Sequence, residues 1–324
     1  MRYLIYGAGA IGGAIGGRLF QHGHDVVLIA RGDHLSALQS TGLVLKDPEM
    51  TVQLMIPTAP TAEAASPRDD DVVVLATKTQ HSETLLADLA TVAPSGIAVV
   101  CAQNGVENER LALRRFEQVY GMRVILAGTH LEPGVVEIAT GPSSGILDIG
   151  RYPSGTDELA ETVAADLRGS GFDAQVTPTV MAHKYLKLMS NVANAIEAAC
   201  GTRLDHPVAR ELARAARAEA EACYEAAGIE VADQNEESER RRRRGLTQAV
   251  SGTVRLGGSS WQSLQRGTGN IEADWLNGEI VLLGRLHQVP TPVNARLQAV
   301  ANRMARQGAE PGSMTAEELA AGLL

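Results

Sequence analysis

Short apolar runs alternate with helix-like stretches through the first half of the chain. The apolar runs that we predict as strands are Tyr3–Tyr6, Asp25–Ile29, Val72–Ala76, Ala98–Cys101 and Arg123–Ala127. Between the first two, Ala10–Gln21 is small and apolar on one face, which predicts a helix. Strands that alternate with helices are typical of a parallel sheet with crossover helices. We therefore expect a doubly wound α/β domain at the N-terminus.

The second half of the chain is helical in pattern. The helices predicted there are Val180–Ala199, Pro207–Ala227, Glu236–Leu256 and Ile271–Gln288. Helices with few strands predict a second, all-α domain. We place the boundary after Pro178, which gives domains at 1–178 and 179–324, and we expect a cleft between them. A chain of 324 residues is long enough for two cores.

Two local patterns carry further predictions. Val135–Ile138 and Gly145–Ile149 flank the turn-forming Gly141-Pro142-Ser143-Ser144, which indicates a hairpin added to the sheet. The run Arg240–Arg244 follows the acidic stretch Glu236–Glu239 at the favourable spacing of four residues. We interpret this run as a solvated helix face rather than as a phosphate or nucleic-acid patch.

The composition of the chain limits the classes of molecule that we expect it to bind. A net charge of −9 and an aromatic content of 3% argue against nucleic acid and anionic membranes, which need positive or stacking surfaces. The chain shows no membrane-spanning run, signal peptide or metal-ligand spacing. Cys101, Cys200 and Cys223 show no CxxC spacing, which fits a reducing compartment. We expect a cytoplasmic protein.

A glycine-rich turn is the strongest single motif. Gly7-Ala8-Gly9-Ala10-Ile11-Gly12 matches GxGxxG, follows a predicted strand directly and opens a predicted helix. Such glycines allow a tight turn and close approach of the backbone to a pyrophosphate, and the helix N-terminus supplies unpaired N–H groups. The turn predicts a dinucleotide-binding domain of Rossmann type.

The end of the second strand points to the phosphorylated cofactor. An acid at this place accepts from the ribose 2′-hydroxyl of NAD, whereas an arginine accommodates the 2′-phosphate of NADP. Arg31 stands there, and the nearest acid, Asp33, comes two residues later. We therefore predict NADP(H) as the cofactor.

Together these features resemble the ketopantoate reductase family, whose members use NADPH to reduce 2-dehydropantoate to pantoate. The resemblance implies a helical C-terminal domain like that of 6-phosphogluconate dehydrogenase. The landmarks occur in family order: Arg31–Leu35 with Leu38, Gly42 and Leu43, Thr77-Lys78, Gln103–Val106, Pro133–Val136, Lys187–Asn191, Glu272–Gly278 and Val289–Asn294.

Lys187 is the candidate general acid. Reduction of a ketone needs a hydride and a proton donor near the carbonyl oxygen. Lys187 and Asn191 are four residues apart and share one helix face, unlike a surface lysine of the kind we expect at Lys184. The resemblance makes Lys187 the proton donor and Asn191 a substrate contact.

Further roles follow from the resemblance alone. It places Glu272 near the nicotinamide ribose and the lysine, where an acid would favour the ammonium form. It places Ser260, with Ser259 before it, at the substrate carboxylate. Lys78 and Asn104 follow predicted strands, where open α/β sheets bind ligands, and the resemblance gives Lys78 a phosphate or ribose role and Asn104 a nicotinamide-side role.

The substrate side departs from the family pattern. Gly257 stands where the family has a substrate-contacting asparagine, and Leu264 stands where an acid is expected. Ala195 replaces a second asparagine, with Asn194 one residue earlier, and Glu197 occupies a place that is usually uncharged.

These departures leave the substrate open. The leading prediction is NADPH-dependent reduction of a small 2-keto acid, with ketopantoate foremost. The alternatives are a related reductase of another small keto acid or imine, and an NADP-binding sensor without catalysis. The long helices of the second domain could also bury an apolar face in a homodimer.

Overall fold

The computed structural model describes residues 1–201, 205–243, 250 and 257–323, which form two compact units. The first unit comprises Met1–His183 and Asp233–Arg255, and the second comprises Lys184–Ala232 and Leu256–Leu324. Our sequence division after Pro178 differs in two respects. The first boundary lies within a helix, and a later segment returns to the first unit.

The first unit alternates strands and helices. Its elements up to residue 179 are β1 Arg2–Tyr6, α1 Ala10–Gln21, β2 Asp25–Ile29, α2 Gly32–Thr41, β3 Leu43–Lys46, β4 Thr51–Leu54, β5 Thr58–Ala59, α3 Ala62–Ala65, β6 Asp71–Leu75, a 3-10 helix Thr79–His81, α4 Ser82–Val92, β7 Ala98–Cys101, α5 Asn108–Leu113, β8 Gln118–Ile125, β9 Gly128–Thr129, β10 Val135–Ile138, β11 Ile146–Arg151 and α6 Glu158–Gly169.

Seven strands form the main sheet, in the order β11-β8-β7-β6-β1-β2-β5. All neighbours are parallel except β11, which runs antiparallel to β8. Alternate residues of the central strand β1 enter separate apolar clusters, with Tyr3 and Ile5 in one and Leu4 and Tyr6 in the other. A strand that is buried on both faces explains the continuous apolar runs in the sequence. The predicted parallel sheet is confirmed.

The predicted hairpin is wrong, because its two strands belong to different sheets. β10 pairs with β3 and β9 in a four-stranded sheet of order β4-β3-β10-β9, whereas β11 joins the edge of the main sheet. Glycines of α1 allow both sheets to approach this helix. A Cβ at Gly16 would lie 2.7 Å from Leu28 of the main sheet, and one at Gly13 would lie 2.8 Å from Val136 of β10.

The elements from residue 180 onward are helices. They are α7 Val180–Asn191, α8 Asn194–Cys200, α9 Pro207–Ala227, α10 Gln234–Arg243, α11 Ser259–Gln265, a 3-10 helix Glu272–Trp275, α12 Asn277–His287, α13 Pro292–Gln307 and α14 Ala316–Ala320. Apart from Val250, the part of the predicted helix Glu236–Leu256 beyond Arg243 lies outside the described residues. Among the helices that are described, none is long and apolar enough to cross a membrane.

The arginine-rich helix α10 packs onto the rest of the first unit through buried and half-buried charges. Arg240 donates to both carboxylate oxygens of Asp148 at 2.8 Å and to Asp173 at 2.8 Å. Arg123, which is 1% exposed, pairs with Asp148 and with Glu237. Burial of Arg240 opposes its charge, but these hydrogen bonds outweigh burial and raise its pKa. The predicted solvated helix is therefore wrong for the face that carries Arg240 and Glu237.

A polar network organises the second unit around the end of α7. The amide of Asn277 donates to Val192 O at 2.9 Å and to Asn294 Oδ1 at 3.0 Å. The amide of Asn294 donates to Ala216 O at 2.9 Å, and Glu219 accepts from the Asn294 backbone N–H at 2.9 Å. The network joins α9, α12 and α13 to the break between α7 and α8. The predicted single helix Val180–Ala199 is therefore two helices.

Candidate active site

The candidate cofactor residues of the first unit lie at one edge of the main sheet. Strand register aligns Tyr6 of β1 with Ile29 of β2 and with Leu75 of β6, and aligns Leu75 with Cys101 of β7. The segments that follow these four strands therefore emerge at the same edge. They contain the Gly7–Gly12 turn, Arg31, Lys78 and Asn104. The β1–β6 pair is the point where the strand order reverses, which is where such sheets bind ligands.

The three glycines of the turn serve different purposes. Gly7 has a φ of +105°, and a Cβ there would lie 2.6 Å from Thr77 Cγ2. A Cβ at Gly12 would collide with the Gly7 carbonyl oxygen and lie 2.8 Å from Ile5 Cγ2. The fold itself thus requires glycine at both positions. Gly9 is different: its φ is −72°, and the nearest atom to a Cβ there is His130 Cδ2 at 3.8 Å.

The space above Gly9 fits an approaching ligand. Gly9 is the N-cap of α1 and gives it no side-chain cap, and the first turn of α1 contains no acidic residue. The N–H groups of that turn have no partner within the helix and suit an anion such as a pyrophosphate. Ala8, Ala10 and Ile11 supply the rest of the turn, with Ala8 buried. These residues fit a dinucleotide.

Arg31 ends the β2 segment as the N-cap residue of α2, and its side chain is exposed. Asp33, also exposed, lies in the first turn of α2. The exposed guanidinium at this edge suits a phosphate group attached to an adenosine ribose.

Lys78 and Asn104 follow β6 and β7 and are both half-buried. A buried hydrogen-bond network joins the two segments that carry them. Gln103 Nε2 donates to Ser82 Oγ at 3.0 Å, and Ser82 Oγ donates to Asn108 Oδ1 at 2.7 Å. The sequence prediction did not assign roles to these three residues, because their contacts join positions 21 and 26 residues apart.

Within the described part of the chain, two buried polar atoms near this edge have no hydrogen-bond partner. They are Thr77 Oγ1, beside Gly7, and Gln103 Oε1, next to Asn104. Buried polar atoms normally have hydrogen-bond partners, and an exception at a ligand site indicates a partner that comes with the ligand. Both atoms fit the polar edge of a bound cofactor.

Lys187 and Asn191 lie one turn apart on α7 in the second unit, and both are half-buried. Asn191 Oδ1 is buried and has no hydrogen-bond partner among the residues that the structure describes. Lys184, which we took for a surface residue, is 3% exposed, so that comparison was wrong. One stripe of α7 therefore carries two lysines and an amide at helical spacing.

The start of α11 packs on α8. Asn194 Nδ2 donates to Ser259 Oγ at 3.5 Å, and the Gly258 N–H donates to Glu197 Oε2 at 2.9 Å. Ser260 is 3% exposed. The structure thus brings Asn194 and Ser259 together, and it adds Glu197 to the same cluster.

Trp261 explains the departure at Gly257. Gly257 has a φ of +70°, and a Cβ there would lie 2.6 Å from Trp261 Cδ2. The indole therefore fills the space that an asparagine side chain at 257 would occupy. Leu264, at the place of the expected acid, is buried in the same helix.

Glu272 is 5% exposed and begins a 3-10 helix rather than the predicted helix Ile271–Gln288. Its carboxylate acts on Arg266, a residue that the sequence prediction missed. Burial lowers the pKa of Arg266, and the negative charge of Glu272 opposes that shift. The structure thus places the Arg266 guanidinium within range of the Glu272 charge.

The fold and the glycine turn together define a class of protein. A doubly wound parallel sheet whose central strand ends in a glycine turn, followed by an uncapped helix, is a dinucleotide-binding domain. Joined to a helical second unit, it is typical of an oxidoreductase. Among the described residues, no cluster of three or more His, Cys, Asp or Glu side chains could hold a metal ion.

Comparison with known proteins identifies the family. Residues 3–154 match the model of ketopantoate reductase PanE/ApbA, and residues 179–305 match that of its C-terminal domain. A 2-dehydropantoate 2-reductase of Mesorhizobium japonicum is 30% identical over 94% of this chain and 98% of its own length. The chain belongs to the ketopantoate reductase family.

Solved structures agree with this assignment. A PanE/ApbA family ketopantoate reductase from Ralstonia eutropha JMP134 superposes with a TM-score of 0.80, at 27% identity, over 95% of this chain and 99% of that one. D-mandelate dehydrogenase with NADH and anilino(oxo)acetate gives a TM-score of 0.81 at 22% identity, over 95% and 99% of the two chains. The second likeness shows the shared fold.

Proposed function

We propose that this protein reduces a small 2-keto acid to the 2-hydroxy acid with NADPH, and that 2-dehydropantoate is the leading substrate. The observation that carries the proposal is the open space above Gly9, at an uncapped helix N-terminus, in a chain of the ketopantoate reductase family. The relatives named for 2-dehydropantoate reduction support this substrate.

In this proposal the first unit binds the cofactor. The Gly7–Gly12 turn holds the pyrophosphate through backbone N–H groups, and Arg31 pairs with the 2′-phosphate. Lys78 contacts a phosphate or ribose, and Asn104 contacts the nicotinamide side. When bound, the cofactor supplies a hydride from nicotinamide C4 to the carbonyl carbon.

The second unit supplies the proton and the substrate contacts. The Lys187 ammonium donates a proton to the oxygen as negative charge develops there. Asn191, whose Oδ1 has no partner among the described residues, accepts from a substrate hydroxyl. Ser259, Ser260 and Asn194 contact the remaining polar groups of the substrate. Glu272 favours the charged form of Lys187 and contacts the cofactor ribose.

A second candidate is a related reductase whose keto acid or imine substrate differs from ketopantoate in its side chain. The observation that favours it is Trp261, whose indole occupies the space above Gly257. An indole offers an apolar wall where the family pattern has an amide. A substrate with an apolar side chain would suit this wall better than one with a hydroxyl.

A substrate panel separates these candidates. NADPH oxidation is followed at 340 nm with 2-dehydropantoate and with 2-keto acids that carry aliphatic or aromatic side chains. Highest kcat/KM for 2-dehydropantoate supports the first candidate, and highest kcat/KM for an apolar keto acid supports the second. Tight NADPH binding without turnover of any substrate would instead indicate a sensor.

We further propose that the protein is cytoplasmic and forms a homodimer through the second unit. None of the three cysteines forms a disulfide bond, as a reducing compartment favours. Leu282 and Leu286 lie one turn apart on α12 and are 43% and 66% exposed. Light scattering of the wild type and of Leu286→Glu tests the dimer, which the glutamate should weaken.

A further inference from the structure

A half-buried histidine, His34, joins the glycine turn to two other parts of the first unit. His34 Nε2 lies 2.8 Å from the Ala8 carbonyl oxygen, and the Gly134 N–H donates to His34 Nδ1 at 2.9 Å. An Nδ1 that accepts has no proton, so the proton is on Nε2, which donates to Ala8. The neutral imidazole therefore makes both hydrogen bonds at once.

The bond with Ala8 sets the direction of one peptide of the turn. The Ala8–Gly9 peptide is planar and trans, so its N–H points away from the carbonyl that His34 holds. Gly9 is the N-cap of α1, and the space above it is where we place the cofactor pyrophosphate. The imidazole thus fixes the orientation of the backbone that would approach the ligand.

The other bond anchors the imidazole to the second sheet. Gly134 O accepts from the Val44 N–H of β3 at 2.8 Å, and a Cβ at Gly134, whose φ is +79°, would lie 3.0 Å from Ala37 Cβ of α2. The Gly134 loop is therefore tightly held between β3 and α2. His34 transfers that rigidity to the turn.

We propose that His34 is a positioning residue that holds the Gly7–Gly12 turn in its cofactor-binding conformation. The inference rests on the proposed dinucleotide site. His34 is also one helical turn after Arg31 on α2, so the same helix would serve both the pyrophosphate turn and the 2′-phosphate.

The position of the glycine turn should depend on pH, because only the neutral imidazole of His34 makes both hydrogen bonds. Burial lowers the pKa of His34, although its hydrogen bond with Ala8 opposes the shift. Protonation would place an Nδ1–H against the Gly134 N–H, so two donors would face each other. The anchored form is thus present above the lowered pKa and is lost as the pH falls through it.

The surroundings of the imidazole are simple. The His130 ring packs on it with centroids 4.3 Å apart, and His130 is itself bonded to Val135 O at 3.0 Å. On its own helix the charged neighbours are Arg31 and Asp33, both exposed. The turn and the Gly134 loop contribute backbone groups to the contacts described above.

Two variants separate the two hydrogen bonds. In His34→Gln the side-chain amide reaches as far as Nε2 and can donate to Ala8. In His34→Asn the shorter side chain places an acceptor near Nδ1 and can serve Gly134 only. His287→Gln removes an exposed histidine of α12 and is the matched control.

The first measurement is the Kd for NADP⁺ at pH 7.5, by calorimetry, with melting temperature as a check of folding. We expect His34→Asn to bind roughly 3- to 10-fold more weakly, the scale of one hydrogen bond. His34→Gln and His287→Gln should stay within about 2-fold of the wild type. Equal affinity of His34→Asn and the wild type would overturn the inference.

The second measurement uses the wild type alone, so it does not depend on how variants fold. The pKa of His34 is followed by NMR with and without NADP⁺, and His34→Gln supplies the assignment. If the neutral form positions the turn, NADP⁺ must lower this pKa further. A rise on binding would mean that the imidazolium attracts the phosphates, and would refute the inference. A wild type that binds no dinucleotide would overturn the proposed site itself, and with it the role of His34.

Discussion

Gly9 offers a direct test of the cofactor site, because the structure separates its role from those of its neighbours. A Cβ at Gly9 would make only an ordinary contact, 3.8 Å from His130 Cδ2, and the φ of −72° suits alanine. Loss of a glycine N-cap lowers the free energy of unfolding by a few tenths of a kcal/mol or more. Alanine also restricts the unfolded chain, which raises the free energy of unfolding by about 0.4 to 1 kcal/mol. Gly9→Ala should therefore fold with nearly unchanged stability.

Cofactor binding should respond quite differently. The new methyl group would stand where the backbone approaches the pyrophosphate and would displace it from one or more N–H donors. Each charge-assisted hydrogen bond is worth about 1.5 to 3 kcal/mol, so the Kd for NADPH should rise about 10- to 150-fold. The assay is NADPH fluorescence titration, with chemical denaturation of the same sample.

Gly12→Ala is the matched comparison. Its Cβ would collide with the Gly7 carbonyl oxygen and crowd Ile5, so it should lower the free energy of unfolding by about 1 to 3 kcal/mol. If Gly9→Ala destabilises the protein as much as Gly12→Ala, or binds NADPH as tightly as the wild type, the assignment of the space above Gly9 is wrong.

Three further substitutions test other parts of the molecule. Lys187→Ala should lower kcat by ~10²-fold or more with little change in NADPH binding, and intact turnover would exclude Lys187 as the acid. Arg31→Ala should weaken NADPH binding by about 10- to 150-fold and leave NADH binding nearly unchanged; equal losses for both cofactors would contradict the 2′-phosphate role. Asp148→Asn leaves the buried Arg123 and the half-buried Arg240 undercompensated and should cost about 3 to 5 kcal/mol, or roughly 6 to 20 °C in Tm. Its control, Arg242→Ala at an exposed site of α10, should stay within about 0.5 kcal/mol.

An element could be predicted from the sequence where all the residues that determine it are adjacent in the chain. The Gly7–Gly12 turn is one case, because its glycines, the apolar run before it and the helix after it are adjacent in the chain. The strands Asp25–Ile29 and Ala98–Cys101 are others, with predicted bounds identical to the observed ones. Burial on both faces of the sheet makes such runs conspicuous.

The sequence predictions were wrong where the residue or strand that determines a contact is distant in the chain. Arg240 finds Asp148 and Asp173, which are 92 and 67 residues away, so the nearby glutamates suggested the wrong environment. The strand at Val135–Ile138 pairs with β3 rather than with its neighbour in the chain, and the two-residue strands β5 and β9 are too short to carry a pattern.

Two of the departures on the substrate side, Gly257 and Glu197, each fit closely against a second residue. Gly257, with positive φ and no Cβ, leaves room for the Trp261 indole, and this indole would not fit beside the family's asparagine at 257. A Cβ at Gly258 would likewise lie 2.6 Å from Glu197 Oε2, and the Gly258 N–H donates to that carboxylate. A protein that had merely lost its substrate would have no need for such mutual fit. The pairs instead favour the proposal of a rebuilt substrate side, in which we expect the Trp261 indole and the Glu197 carboxylate to influence the choice of substrate.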